Sequence, residues 1–423
     1  MFLELCVTFY ILRKKLHMRL LQLLALTLFT GSFSFAQVAT CDGIRYESFT
    51  YTPSATTGIL FGNATTIGGN NQDLYLDFYE PTGDMAAERP LVIVAFGGSF
   101  ISGTRQDMQW MCEYYTAMGY TAATIDYRLY DGPLIPLPDS VAMTEEVLMA
   151  VSDMKAAIRF FKEDAATVNN YGIDTNNIFV GGISAGAIVA SHVALLDSND
   201  VLEPYIVPLL NANGGWTGNS SANTQYTDNV RGLLNFSGAL RNAGYIDAND
   251  PPLFSVHDDG DNVVPYGSGA ASVVGFPIIN MEGSLLMDQE AQNVGVNTEL
   301  ITFPGTGHVS YFQGSQAIAD SVLWESTSFL YDIICPQYAN TQELSNVDGV
   351  TIAPNPAETE FTVSWSAEEV RSIELVDAMG NVLIQEVTSG DAQSLNVSSL
   401  APGVYFVRLI SGNGISVQSV QKL

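Results

Sequence analysis

Short apolar segments and helix-like segments alternate along the chain between residues 72 and 333. The apolar run PLVIVAF at 90–96 is typical of a strand that is buried on both faces of a sheet. Residues 140–166 predict a long helix, because apolar side chains recur there at spacings of three and four. This alternation predicts an α/β fold, in which helices cover both faces of a mostly parallel sheet. The predicted strands are 73–81, 90–96, 120–127, 177–183, 231–238, 252–259 and 299–305.

The sequence pattern changes after Cys335. We interpret residues 336–349 as a linker, whereas residues 350–423 contain short alternating segments that turn residues separate. That pattern predicts a small antiparallel β-sandwich. Since residues 350–423 contain no Cys, no His and no cluster of acids and bases, we expect the chemistry to lie in the preceding domain, residues 37–335.

Residues 1–36 have the pattern of a signal peptide. Basic residues precede an apolar run at 20–29, and Ser34-Phe35-Ala36 fits a cleavage site. The apolar run is too short to span a bilayer comfortably, and no later segment predicts a transmembrane helix. Met18 is an alternative start of the chain. We therefore expect an exported protein.

Three cysteines remain after the predicted cleavage site: Cys41, Cys112 and Cys335. An exported chain meets oxidising conditions, and the two ends of a domain often lie close together. We therefore favour a disulfide between Cys41 and Cys335, with Cys112 as a buried thiol in a predicted helix at 108–118. The pairings of Cys112 with Cys41 or with Cys335 stay open.

The chain has a formal net charge of −29, from 45 acidic and 16 basic residues. This charge argues against nucleic acid and against an anionic membrane surface as partners, because both bind clustered Lys and Arg. We expect an acidic protein surface instead.

The sequence GISAG at 182–186 matches the pattern Gly-x-Ser-x-Gly. A serine hydroxyl is a weak nucleophile unless a base, an acid that orients the base, and donors to the oxyanion surround it. The apolar strand at 177–181 enters this pattern and an alanine-rich stretch leaves it, which is the strand–turn–helix setting of a nucleophile elbow. Ser184 is therefore the candidate nucleophile.

The candidate base follows from the four histidines of the chain. His17 lies in the predicted leader. His192 follows Ser184 on the same predicted helix and is displaced from it by about 12 Å. His257 lies in an apolar strand, where a structural role is expected. His308 follows the last strand in a glycine-rich loop, so we predict that it is the base.

The candidate acid lies in HDDGDNVVPY at 257–266, between the serine and the predicted base. We favour Asp261, because the following Asn-Val-Val-Pro turn can make its loop rigid, and Asp258 is the next choice. The order Ser, Asp, His is that of the α/β-hydrolase arrangement.

Donors to an oxyanion are expected from two places. Gly97 and Gly98, in AFGGSFISGT at 95–104, have no Cβ and so let a substrate approach their backbone N–H groups. The N–H of Ala185 completes the predicted oxyanion hole. A simple connecting turn is the alternative, and a phosphate loop is disfavoured because no Gly-Lys-Ser/Thr follows.

A long irregular segment at 197–229 interrupts the strand–helix alternation. Connections of this length inside a compact domain are usually functional, so we expect it to shape the pocket for the acyl or the alcohol group. An ordinary surface loop, in which Trp216 fills a local gap, is the alternative.

Residues 72–333 resemble the α/β-hydrolase superfamily, in particular secreted bacterial carboxylesterases related to the hormone-sensitive-lipase and His-Gly-Gly-Gly groups. The resemblance implies a triad of Ser184, Asp261 and His308, an acyl-enzyme, and no metal or organic cofactor. The segments that carry it are LDFYEP, VIVAFGGSFISG, GYTAATIDYRL, the stretch from DMKAAIRFF to FVGGISAGA, HDDGDNVVPY and GTGH.

The chain departs from this family at two motifs. The usual His-Gly-Gly-Gly reads Phe96-Gly97-Gly98-Ser99 here, which removes the hydrogen bond that the histidine makes to brace the loop. The common Gly-Asp-Ser-Ala-Gly reads Gly-Ile-Ser-Ala-Gly, which points away from the centre of the hormone-sensitive-lipase group.

Residues 350–423 resemble the C-terminal sorting domain of the type IX secretion system of Bacteroidetes, on IAPNPAETEFTVSW, IELVDAMGNVL and LNVSSLAPGVYFVRL. The resemblance implies that the type IX machinery is a partner, and that the protein is secreted or attached to the outer-membrane surface. A carbohydrate-binding module is the alternative.

Together these features predict a secreted serine hydrolase that cleaves carboxylic esters of small molecules or polymers. Alternatives on the same fold are a polysaccharide deacylase or feruloyl-type esterase, a polyester hydrolase and a peptidase. A non-enzymatic adhesion module is disfavoured because Ser184, Asp261 and His308 are all present.

Overall fold

The computed structural model describes Cys41 and residues 45–273, 275–335, 350–366, 370–377, 382–388, 390–411 and 415–423. The predicted signal peptide and the predicted linker lie outside the described residues. The chain divides into two compact units, with the division between Val322 and Leu323. The predicted domain bounds stay predictions.

The first unit is built on an eight-stranded sheet. The order across it is β1-β2-β4-β3-β5-β6-β8-β11. β1 and β2 pair antiparallel, as do β2 and β4, and all other neighbours pair parallel. The strands of this unit are β1 (Thr52–Thr65), β2 (Asn71–Thr82), β3 (Arg89–Ala95), β4 (Thr121–Ile125), β5 (Ile173–Ile183), β6 (Gly232–Phe236), β7 (Ala239–Leu240), β8 (Leu253–Asp258), β9 (Ser268–Val273), β10 (Phe276–Gly283) and β11 (Thr298–Phe303).

The predicted α/β fold class is confirmed. The central strands β3, β4 and β6 are buried along nearly their whole length, as expected of parallel strands covered on both faces. Each predicted strand corresponds to one strand of the large sheet. β1 and the small antiparallel sheet of β7, β10 and β9 have no counterpart among the sequence predictions.

Helices α1, α2, α3 and α5 contact strands of this sheet. α2 starts where predicted, because the carboxylate of Asp139 accepts the free N–H groups of Val141 and Ala142 at its first turn. α3 is buried along almost all of its length. The described helices are α1 (Gln109–Ala117), α2 (Ser140–Ala166), α3 (Ala185–Leu195), α4 (Ile206–Ala212), α5 (Ser284–Val294), α6 (Ser310–Gln313) and α7 (Gln316–Ile334). None of the helices in the described ranges is long and apolar enough to cross a bilayer.

The segment at 197–229 is anchored on α2. Ile206 and Leu210 of α4 share an apolar cluster with Leu148, and Trp216 packs against that cluster. Ser220 Oγ lies 2.5 Å from Asp153 Oδ1, which pairs with Arg128 in a fully buried ion pair. The segment is therefore held by both apolar and charged contacts.

The second unit contains an antiparallel β-sandwich, which agrees with the predicted fold of residues 350–423. One sheet has the order β12-β13-β16 and the other β15-β14-β17-β18. Buried apolar side chains, among them Phe361, Trp365, Leu375 and Leu409, form a common core. The strands are β12 (Thr351–Ala353), β13 (Glu360–Ser364), β14 (Val370–Val376), β15 (Val382–Val387), β16 (Ala392–Asn396), β17 (Gly403–Ser411) and β18 (Ile415–Lys422).

The described cysteines differ in their state. Cys41 and Cys335 are each disulfide-bonded, and Cys112 is a free thiol. Burial raises the pKa of the Cys112 thiol well above its ordinary value, so this residue is an inert part of the core. The pairing of Cys41 with Cys335 stays a prediction.

Candidate active site

Ser184 lies between β5 and α3 in a backbone conformation that few L-residues adopt, with φ of 56° and ψ of −118°. The flanking glycines allow this sharp turn. A Cβ on Gly182 would lie 2.4 Å from the carbonyl carbon of Gly186, and one on Gly186 would lie 2.1 Å from the Ala95 oxygen. The Gly-x-Ser-x-Gly pattern is therefore a steric requirement of this strand–helix junction.

His308 reaches Ser184 from the loop that follows β11. Its Nε2 atom lies 2.7 Å from Ser184 Oγ, and its Nδ1 atom lies 2.6 Å from Asp261 Oδ2. An ionised carboxylate only accepts hydrogen bonds, so Nδ1 carries the proton and Nε2 accepts from the serine hydroxyl. The structure thus brings together the three residues that the sequence analysis singled out.

The carboxylate of Asp261 is buried and surrounded by donors. Its Oδ1 atom accepts the N–H groups of Val263 at 2.8 Å and Val264 at 3.0 Å. Burial by itself raises the pKa of Asp261, but hydrogen bonds from His257 and His308 outweigh it and bring the pKa below the ordinary value. Asp261 is therefore ionised at neutral pH.

His257 is a neighbour of the site for which the sequence indicated only a structural role. Its Nδ1 atom lies 2.7 Å from Ser284 Oγ, and its Nε2 atom lies 3.1 Å from Val264 O and 3.3 Å from Asp261 Oδ2. Both neighbours of Nε2 are acceptors, so we assign a proton to this nitrogen. The sequence signal for this contact was weak: one polar residue in an apolar strand, four positions before Asp261.

Asp258 and Asp259 brace the loop that carries His308. Asp258 accepts the backbone N–H of Ser310 at 2.9 Å and also the Ser310 hydroxyl. Asp259 Oδ1 accepts the N–H of Gly305 at 2.9 Å. Among the described contacts, neither carboxylate reaches the imidazole, so Asp261 is the one that orients it.

His192 takes no part in this arrangement. Its Nε2 atom accepts the backbone N–H of Arg241 at 3.1 Å, so Nδ1 carries the proton that is donated to Ile188 O at 2.8 Å. Burial lowers the pKa of His192 to about 4. It is a neutral, satisfied core histidine.

The loop after β3 carries the predicted oxyanion donors. Gly98 has a φ of 129°, and a Cβ there would lie 2.0 Å from Ser102 O. The loop closes on itself, because the N–H groups of Ile101 and Ser102 both donate to Gly98 O. Within the described part of the chain, the N–H groups of Gly97, Gly98 and Ala185 donate to no protein acceptor. These three N–H groups are therefore free to bind an oxyanion.

Tyr127 braces this loop. No sequence signal indicated this contact. The buried hydroxyl of Tyr127 donates to Phe96 O at 2.9 Å. Its ring stacks on the Phe96 ring, with 4.3 Å between the centroids. Phe96 stands where the resembled esterases have a histidine. The bracing contact comes here from Tyr127, which lies two residues after the end of β4.

A narrow apolar pocket opens beside Ser184. Its volume for water-sized groups is about 30 Å³. It is lined by Ser99 and Phe100 of the glycine loop, Ile188 of α3, Val264 of the acid loop and apolar residues of α2, β9 and β10. A small acyl or alcohol group fits this space.

No group of three or more His, Cys, Asp or Glu side chains that could hold a metal ion is found in the part of the chain that the structure describes. What the described residues offer is a serine hydroxyl in contact with an imidazole, which in turn contacts an ionised carboxylate. Such an arrangement can activate the hydroxyl as a nucleophile.

The mostly parallel sheet, the strained serine at the β5–α3 junction and the histidine loop after the last strand have the arrangement of an α/β-hydrolase fold. Residues 76–238 match the family BD-FAE. Residues 351–422 match the family described as secretion system C-terminal sorting domain. The resemblances drawn from the sequence motifs are thereby confirmed for both parts of the chain.

Two curated relatives are esterases. Esterase LipI of Mycobacterium tuberculosis is 26% identical over 213 residues, which are 49% of this chain and 61% of the relative. Gut esterase 1 of Caenorhabditis briggsae is 29% identical over 130 residues, which are 30% of this chain and 22% of the relative. The chain thus spans less than two thirds of the length of each of these relatives.

Among solved structures, the chain is similar to the apo form of Thermogutta terrifontis esterase 2. The sequence identity is 21% and the TM-score is 0.48, over 66% of this chain and 94% of that chain.

Proposed function

We propose that this protein is a serine hydrolase that cleaves carboxylic esters through an acyl-enzyme. The observation that carries the proposal is the chain of contacts from Ser184 Oγ to His308 Nε2, at 2.7 Å, and from His308 Nδ1 to Asp261, at 2.6 Å. The esterase relatives support the same class of reaction.

In the acylation step, the Ser184 hydroxyl gives its proton to His308 Nε2 as Oγ forms a bond to the ester carbonyl carbon. The carbonyl oxygen becomes an oxyanion, which accepts hydrogen bonds from the N–H groups of Gly97, Gly98 and Ala185. The C–O bond to the alcohol then breaks, and His308 returns its proton to the leaving oxygen. The acyl group stays on Ser184.

In the deacylation step, water gives a proton to His308 and adds to the acyl carbon. The bond to Ser184 Oγ breaks, the serine regains its proton from His308, and the carboxylic acid leaves. Asp261 keeps the proton of the neutral imidazole on Nδ1 and stabilises the imidazolium in both steps. This role fits a carboxylate whose pKa is held below its ordinary value by hydrogen bonds.

The test measures the turnover of p-nitrophenyl esters by two serine variants. Ser184→Ala is expected to lose more than about 10⁴-fold in kcat. Ser191→Ala is the matched control, because this serine is also buried on α3 and its Oγ has no described hydrogen-bond partner. A fluorophosphonate probe should label the wild type and not Ser184→Ala. Full turnover by Ser184→Ala would end the proposal.

The class of ester is sorted by a substrate panel on the purified protein. Acetyl-xylan, feruloyl esters, polyester films, short acyl esters and peptide amides represent the alternatives. Hydrolysis of the amides with no hydrolysis of any ester would turn the assignment towards a peptidase on the same fold.

We also propose that residues 350–423 direct export through the type IX machinery, and the family match at 351–422 supports this. In a host with that system, the full chain should reach the medium or the cell surface. A chain that ends at residue 335 should keep its esterase activity and stay inside the outer membrane. Equal export of both chains would contradict the proposal.

A further inference from the structure

The pocket beside Ser184 has a second cavity behind it. The second cavity is also about 30 Å³ and is lined by residues of α2, α3 and α4, with His192 and Arg241 among them. Val147 of α2 and Ile279 and Met281 of β10 line both spaces. These three side chains therefore form a wall between the pocket that contains the nucleophile and the cavity beyond it.

The three wall residues belong to the core. Their exposed fractions are 8% for Val147, 9% for Ile279 and 3% for Met281. A close-packed wall of this kind moves little, because core side chains sit in well-defined rotamers among many neighbours. Met281 is unbranched, so it adapts its shape to the gap between the other two.

The lining of the pocket indicates which half of an ester it receives. Ala185, Ser99 and Phe100 line it and adjoin the oxyanion donors, whereas His308 does not line it. The leaving alcohol has to lie against His308, because that residue protonates the leaving oxygen. The pocket away from His308 is therefore placed to receive the acyl chain.

The volume of the pocket limits the length of that chain. The space beside Ser184 that is open to water-sized groups is only about 30 Å³, so the pocket is a narrow slot. Acetyl and propionyl groups carry one and two carbon atoms beyond the carbonyl. A hexanoyl group carries five, and its far end would meet Val147, Ile279 and Met281.

We propose that this pocket selects short acyl groups, and that Val147, Ile279 and Met281 set the limit on their length as the end wall. The proposal rests on the proposed esterase function and adds its substrate class: short-chain acyl esters. Removing a wall side chain joins the two cavities and lets a longer chain extend towards α4.

The test measures kcat/KM for p-nitrophenyl acetate, propionate, butyrate, hexanoate and octanoate. For the wild type we expect at least a tenfold fall from propionate to hexanoate, since one misplaced methylene in an apolar pocket already changes kcat/KM by about 10- to 200-fold. For Met281→Ala we expect the ratio of hexanoate to acetate activity to rise at least tenfold.

Two further variants keep the result interpretable. Val147→Ala opens the same wall from α2 and replaces a β-branched residue by the best helix former. It replaces Met281→Ala in the test if that variant fails to fold. We expect the same rise in the ratio of hexanoate to acetate activity. Met111→Ala is the matched control: it removes an equally buried methionine from α1, and Met111 lines neither cavity. Its chain-length profile should equal that of the wild type.

The outcomes separate this inference from the proposed function. A wild type that prefers octanoate, an unchanged profile in both wall variants, or selectivity for alcohol length in ethyl and hexyl acetate would overturn the acyl wall while leaving the esterase assignment standing. Absence of turnover for every ester, together with no fluorophosphonate labelling of Ser184, would remove the esterase assignment itself.

Discussion

The hydroxyl of Tyr127 donates a hydrogen bond of 2.9 Å to the carbonyl oxygen of Phe96, the residue immediately before Gly97 and Gly98. The resembled esterases brace this loop with a histidine, and this chain has Phe96 at that place. Since Ser99 and Phe100 have positive φ values of 55° and 63°, the loop is strained and needs such support. We therefore expect Tyr127 to position the loop that carries the candidate oxyanion donors.

Replacing Tyr127 by Phe keeps the stacked ring and removes only the hydroxyl. We expect kcat to fall about tenfold with KM within about twofold, because a misplaced oxyanion donor weakens transition-state binding more than substrate binding. Steady-state kinetics on p-nitrophenyl acetate measure this split. Tyr79→Phe, at another buried tyrosine in β2, is the control and should leave both constants unchanged. A loss confined to KM would argue against the positioning role.

Replacing each of the two candidate acids, Asp261 and Asp258, by Asn should change kcat to different extents. Asp261→Asn is expected to lower kcat by about 10³- to 10⁴-fold, because the amide neither holds the Nδ1–H tautomer of His308 nor stabilises the imidazolium. Asp258→Asn leaves one acceptor oxygen for Ser310, the described partner of this side chain, so its kcat should stay within about tenfold. Steady-state kinetics and thermal unfolding of both variants show which aspartate acts with His308. A larger kcat loss in Asp258→Asn would reverse the assignment.

Gly186 tests the steric account of the nucleophile elbow. Helix propensity alone predicts that Gly186→Ala stabilises α3 by about 1 kcal/mol. The structure predicts the opposite sign, a loss of about 3 kcal/mol, because the new Cβ would lie 2.1 Å from the Ala95 oxygen. Gly267→Ala is the control, because nothing lies within 4 Å of a Cβ added at this position. We expect its free energy of unfolding to rise by about 0.4–1 kcal/mol. Urea unfolding measures both changes, and a stabilised Gly186→Ala would refute the account.

The carboxyl of Glu146 should make stability fall as the pH rises. Burial, with the nearby charge of Asp153 as a second cause, raises the pKa of Glu146 to about 8. Neither of its oxygens has a hydrogen-bond partner among the described residues. Between pH 4.5 and 8 the folded chain keeps this proton and the unfolded chain has lost it. The contribution to the free energy of unfolding therefore declines by about 1.4 kcal/mol per pH unit.

Glu146→Gln should remove this decline. The free energy of unfolding of the variant, relative to the wild type, is expected to rise from pH 5 to pH 8, as measured by urea unfolding at several pH values. Glu113→Gln, at an exposed residue of α1, is the control and should show no such trend. Parallel pH profiles for wild type and Glu146→Gln would contradict the expectation.

Features that depend on neighbours along the chain were accessible from the sequence. Seven of the eight strands of the large sheet follow from apolar or alternating runs, and α2 follows from its periodicity. The elbow around Ser184 follows from two glycines whose steric role is local to one strand–helix junction. The order of serine, acid and base along the chain also needed no coordinates.

Features that depend on packing between distant segments were not accessible. Three aspartates lie within four residues at the end of β8, and only the fold decides that Asp261 faces His308 while Asp258 and Asp259 hold the loop. Tyr127 contacts Phe96 because β3 and β4 are neighbours in the sheet.

The pocket beside Ser184 also depends on packing between distant segments. Its wall joins Val147 of α2 to Ile279 and Met281 of a hairpin that carried no clear sequence signal. The sequence by itself identified Ser184, Asp261 and His308 as candidate nucleophile, acid and base, because those choices follow from residue type and local backbone. The tertiary structure alone decided which groups meet them and how much space a substrate has, because such contacts depend on close packing between segments far apart along the chain.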